Sequence, residues 1–72
     1  MKGRYTLYYE SDYTLHGHNI HTWGNANSLK TAKGYISRCR RELADEHPRN
    51  FFIRDWLETD ENGFAKIVYE EA

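Results

Sequence analysis

Three of the chain's four histidines fall within six residues, His16-Gly17-His18-Asn19-Ile20-His21, and imidazole is the commonest protein ligand for metals. On a strand, side chains alternate, so His16 and His18 would share one face and His21 the other. A rise of ~3.3 Å per residue sets the first two rings about 6.5–7 Å apart at the backbone. Both could then reach a zinc ion at ~2.0–2.1 Å. A structural zinc takes four ligands, and Glu10, Asp12 or His47 would have to complete the set. No Cys-x-x-Cys accompanies the histidines, and Gly17 suggests a break of strand register inside the motif. The pattern therefore favours a solvent-exposed turn over a metal site or a pH-responsive cluster. No cofactor is expected.

Catalytic groupings are missing from the sequence. It has no nucleophile elbow and no phosphate-cradling glycine loop. Cys39 reads as a small core residue rather than an activated thiol. Asp55, Glu58, Asp60 and Glu61 gather around a hairpin where water should screen them. His47, beside Pro48, can face helix C-terminal carbonyls when charged. The expectation is a protein that is not an enzyme and has no catalytic residues.

The elements that must carry any surface follow from periodicity. RYTLYYE (4–10) alternates as a strand, with Tyr5, Leu7 and Tyr9 on one face and Thr6, Tyr8 and Glu10 on the other. Glu10-Ser11-Asp12 reads as a turn, and a second strand is expected within 13–24, most securely at 18–23. From Asn27 the period changes: Leu29, Ala32, Ile36, Cys39 and Leu43 step by three and four, one apolar stripe of a helix. Asn27 or Ser28 is the expected N-cap, and Pro48 closes the segment, placing the helix at 28–46. FFIRDWLE (51–58) and FAKIVYE (64–70) then flank an Asn62-Gly63 hairpin signal. The reading is a single α+β domain over 1–72, ordered β-β-α-β-β. One helix packs on an antiparallel sheet of four strands, on the face carrying Leu7, Ile53 and Ile67.

An aromatic first strand, the TWG strand end, SLKTAKGYI opening the helix and a closing NG…IVYEE hairpin together resemble short phage- and prophage-encoded proteins. Some small phage proteins of this size inhibit host factors. The resemblance implies a bacterial cytoplasm and carries over no functional residue.

Composition narrows the partners. The chain has 72 residues and a formal charge of -1, from 10 Lys and Arg against 11 Asp and Glu. Bulk charge therefore points to no polyanion, and any electrostatic function depends on how the charges are segregated. The single cysteine rules out an intrachain disulfide and suits a reducing cytoplasm. No apolar run approaches the ~18 residues that span a bilayer, so no membrane partner is expected.

Two surfaces remain. On the helix, Lys30, Lys33, Ser37, Arg38, Arg40 and Arg41 lie on the sides and outer face, ahead of Glu42, Asp45 and Glu46. That order opposes the helix dipole. Gly34 on the same face lets another backbone or a phosphate come close. These residues are candidate phosphate contacts, set against an ordinary solvated face. On the sheet, Tyr8, Phe52, Arg54, Trp56, Lys66 and Val68 are expected on the face away from the helix. Of these, Tyr8, Phe52, Arg54, Trp56 and Lys66 are the candidate protein contacts, because Tyr, Trp and Arg dominate interface hot spots. Such a face could bind a protein partner, form a homodimer, stack unpaired bases or be covered by the chain's own β1–β2 or terminal segments. The leading expectation is a small cytoplasmic protein-binding module, phage-like, that acts on a host factor. The alternative is a nucleic-acid-binding accessory protein, and the third reading is a metal-binding protein using His16, His18 and His21.

Overall fold

The computed structural model describes residues 3–72. Tyr5, Leu7 and Tyr9 do share a face, and it is the face on which the helix lies. Strand β1 (Tyr5–Leu15) turns back as β2 (His18–Ala26), followed by helix α1 (Leu29–Glu42), a 3-10 turn (Ala44–Glu46), β3 (Arg49–Thr59) and β4 (Ala65–Glu71). The four strands form one antiparallel sheet in the order β2-β1-β3-β4. The α+β reading and the element order hold.

The helix forms where its stripe lies. Ala32, Ile36 and Cys39 are buried against Leu7, Tyr9, Ala26, Phe51 and Ile53, with Leu29 and Leu43 at the margins. Ser28 caps the first turn, its hydroxyl accepting from the Thr31 amide at 3.2 Å. The helix is shorter than the expected 28–46. The chain tightens into the 3-10 turn after Leu43, and His47 then adopts a left-handed φ of 53°. Asp45 and Glu46 sit badly at the negative end of a dipole, and Pro48 bars further helix.

The first turn is misplaced by the sequence reading. Glu10-Ser11-Asp12 lies inside β1, and the chain reverses at His16-Gly17, whose φ values of 53° and 80° fit a two-residue primed turn joining paired Leu15 and His18. The polar stretch is an irregularity in the ladder, which jumps from Glu10 opposite Ile20 to Leu15 opposite His18. Ser11 is fully buried there, accepting from the Tyr13 amide and donating to Glu46. The second hairpin also differs in detail. Asp60 closes a longer loop by accepting from the Asn62 and Phe64 amides, with Gly63 at φ 84°.

A bulge in β4 produces the largest correction. Ile53 pairs with Tyr69 but Arg54 pairs with Ile67, which leaves Val68 as an extra residue. Ile67 therefore joins Arg54 on the face away from the helix, while Lys66 stands opposite the helix-side Asp55. Val68 packs against the helix-side core. The expected placements of Ile67, Lys66 and Val68 are each reversed.

Asp55 is also not a screened hairpin carboxylate. It is 2% exposed, and Arg4 grips both its oxygens, Nε to Oδ1 and Nη2 to Oδ2, each at 2.8 Å. The Leu57 amide donates to the same carboxylate. The Arg4 hydrogen bonds hold the Asp55 carboxyl below the usual carboxylate range.

Candidate docking surface

The sheet face away from the helix is built around β1 and β3, which pair without interruption from Tyr5 to Tyr8. Tyr8 stands opposite Phe52, and their rings stack at 5.0 Å with 9° between planes. The Arg54 guanidinium lies 5.6 Å from the Phe52 ring, and its Nη1 donates to the Ala65 carbonyl. Trp56 is pinned by its polar edge: Nε1 donates to Thr6 Oγ1 at 2.6 Å, and that hydroxyl donates to Asn25 Oδ1 at 2.6 Å. Indoles held this way present a flat apolar face in a fixed orientation.

The edge strands raise the sides of this platform. Ile20 on β2 and Ile67 on β4 join Glu10, Asn50, Phe52 and Glu70 in lining an open groove of about 500 Å³. Ile20, Trp56 and Ile67 are 52%, 45% and 38% exposed. The helix lies on the opposite face, and among the described residues no terminal or β1–β2 segment buries these side chains, contrary to the covered alternative.

Of the residues expected here, Tyr8, Phe52, Arg54 and Trp56 come together and Lys66 does not. Ile20, Ile67 and Glu70 join them on this face. Ile67 becomes visible only with the β4 bulge, whereas Glu70 shares the sequence alternation of Lys66 and Val68. Ile20 is set opposite Glu10 only by the irregularity between Glu10 and Leu15, since a regular reversal at His16-Gly17 would place it opposite Tyr13.

The helix surface is arranged differently. Lys30, Lys33, Gly34, Ser37, Arg38, Arg40 and Arg41 are all exposed, yet several cations already have partners. Lys33 Nζ sits 4.4 Å from the Tyr69 ring centre, and Arg38 meets Glu42 at 3.5 Å. Arg40 pairs with Glu71 at 2.6 Å, donates to the Ala72 carbonyl and lies over Phe51. A Cβ on Gly34 would meet nothing within 4 Å. Gly34→Ala is therefore expected to raise stability by about 1 kcal/mol, read as a higher urea midpoint. A lower midpoint would show that the open space at Gly34 is not there.

The histidines are spread by the hairpin. His16 is a turn residue and His18 begins β2. His21 Nε2 donates to the Tyr13 carbonyl at 2.8 Å, between the Tyr9 and Tyr13 rings at 5.4 and 5.8 Å. Among the described residues, no three His, Cys, Asp or Glu side chains group as metal ligands.

Cys39 is fully buried, and burial, with Glu46 and Glu42 nearby, pushes its thiol up to about 11. Near the ordinary thiol value of about 8.5, only the unfolded chain ionises this group, so its contribution to stability is lost as pH rises. Alkylation at that pH is expected to be negligible in the native protein and complete in urea. Rapid labelling of the native protein would contradict the burial. No helix among the described residues is long and apolar enough to cross a membrane. Comparison with known proteins finds no matching family model, curated protein or solved structure.

Proposed function

We propose that the chain is a small protein-binding module that docks through the uncovered sheet face. The observation carrying this reading is the ordered platform of Tyr8, Phe52, Arg54 and Trp56, flanked by exposed Ile20 and Ile67. Aromatic and Arg side chains held rigid lose little entropy on contact, and they dominate interface energetics. Binding, not catalysis, is the assigned role. The lone, buried Cys39 suits a cytoplasmic setting. The likeness to phage-encoded proteins, seen in the TWG, SLKTAKGYI and NG…IVYEE segments, makes a host factor the proposed partner.

Nucleic-acid binding through the helix has weaker support. Lys33, Arg38 and Arg40 are already engaged by Tyr69, Glu42 and Glu71, which leaves fewer free cations than the bare sequence offers. The two readings respond differently to salt. A protein making 6–10 phosphate contacts loses about 10³–10⁵ in affinity between 50 and 200 mM salt, whereas an aromatic interface loses little.

The test is affinity capture from a bacterial lysate with the native chain, Phe52→Ala, and Lys30→Ala combined with Arg41→Ala, at both salt levels. A captured protein retained at the higher salt, lost with Phe52→Ala and kept with the helix variant is the expected result. Capture that survives Phe52→Ala but fails with salt or with the helix variant would overturn the sheet-face reading.

A further inference from the structure

We infer that the occupant of the open sheet face is a second copy of this chain, in a symmetric dimer. This rests on the reading of that face as a docking surface; in the free chain the second copy holds the face, and a host factor that docks there must displace it. The inference comes from the charges on the face, which are complementary to themselves under a twofold rotation.

Glu10 is already matched, since Arg49 Nε lies 3.1 Å from its carboxylate. Near the centre of the face, Arg54 and Glu70 have no ion-pair partner among the described residues, Arg54 being held by Phe52 and the Ala65 carbonyl but by no carboxylate. The Arg54 guanidinium is spread over Phe52, and Glu70 stands opposite Phe52 on β4. Register places Ile67 opposite Arg54 and Glu70 opposite Phe52. The cation and the acid therefore sit one row apart along the strands, about 6.7 Å, and one strand apart across the sheet, about 4.8 Å.

A twofold axis between two facing sheets, running across the strands and midway between these rows, exchanges the rows. Arg54 of each copy then stands over the row holding Phe52 and Glu70 of the other, displaced from the acid by one strand spacing. An arginine side chain covers that offset. Two equivalent ion pairs form around a centre made of the Tyr8–Phe52 stacks, with Ile20, Trp56 and Ile67 around them. Isologous contacts of this kind are the commonest way that identical chains associate.

Size points the same way. A chain of this length buries only about 60% of the surface its unfolded form exposes, and here a single helix covers a single face.

Sedimentation equilibrium of the full chain over a concentration series tests the inference, with circular dichroism to establish that each variant folds. The native chain is expected to dimerise. Arg54→Glu and Glu70→Arg should each weaken the dimer about tenfold or more. An equimolar mixture of these two variants should recover it, because each then supplies the charge the other needs. Ile20→Lys, at an exposed position, should also give monomer and keeps the test open should Arg54→Glu fail to fold. A chain that is monomeric at every concentration overturns the proposal. So does a dimer indifferent to Glu70→Arg and Ile20→Lys. A monomer whose Phe52→Ala variant still loses a captured protein overturns the dimer alone and leaves the docking reading in place.

Discussion

Phe51→Ala is expected to lower stability by about 3–5 kcal/mol, the largest effect of any single substitution considered. Phe51 is 1% exposed and lies under the helix with Leu7, Ile36 and Ile53. Truncation leaves a void that a single helix on a single sheet has few neighbours to fill. It also removes the surface over which Arg40 lies at 4.9 Å on its way to Glu71, loosening the tie between α1 and β4. A domain of 72 residues has a total stability of about 4–11 kcal/mol. The variant therefore loses from about a quarter to all of it. Urea denaturation followed by tryptophan fluorescence measures the change, and a loss below about 1 kcal/mol would show that Phe51 is not a packed core residue.

Arg4→Met should produce the second large loss, through charge rather than volume. Asp55 is buried, and Arg4 supplies two of its three hydrogen bonds. Without Arg4 the carboxylate keeps only the Leu57 amide. The expected loss at neutral pH is well beyond that of an exposed ion pair such as Arg38–Glu42 and below that of Phe51→Ala. Its pH dependence gives it a signature. In the native protein the Asp55 carboxyl is held below its unfolded value of about 3.9. The stability this contributes is therefore present above that value and is lost as pH falls through the lower, folded value. In Arg4→Met the buried carboxyl instead prefers its proton, so the deficit relative to the native chain should shrink as acid neutralises it. Asp55→Asn removes the buried charge and should lack this pH dependence. An equal deficit at neutral and acid pH would show that the Arg4–Asp55 pair does not act through charge.

The parts of this fold legible in the sequence are those where one simple period runs unbroken. The stripe from Leu29 to Leu43 and the cap at Ser28 place the helix. Uninterrupted alternation through Tyr5–Tyr8 and Phe51–Trp56 correctly groups Tyr8, Phe52, Arg54 and Trp56. Legibility fails wherever a strand carries an extra residue. Ile67 and Val68 are adjacent and both apolar, so hydropathy alone does not say which faces the helix; the bulge that decides it depends on the register with Ile53 and Arg54. Ser11 reads as a turn residue because its hydroxyl commonly bonds nearby backbone. It does so here, to the Tyr13 amide, but within a strand and under the cover of the helix end. Asp55 misleads for a related reason, since its partner lies 51 positions away in Arg4. The histidines are grouped by type, yet His16 and His18 mark the hairpin by backbone position.

The strand order β2-β1-β3-β4 has a consequence for how the chain comes into being. The two hairpins are local and can each form within about 1–10 μs. The seam that joins them pairs Tyr5 with Asp55, fifty residues later. At synthesis rates of about 5–20 residues per second, β1 waits about 3–10 s after emerging before its inner neighbour follows. An isolated two-stranded hairpin is only marginally stable, so through that interval Tyr5, Leu7 and Tyr9 stand in water with neither β3 nor the core to receive them. Assembly of the domain thus waits on the seam between β1 and β3, and the nascent hairpin is the species a chaperone would meet.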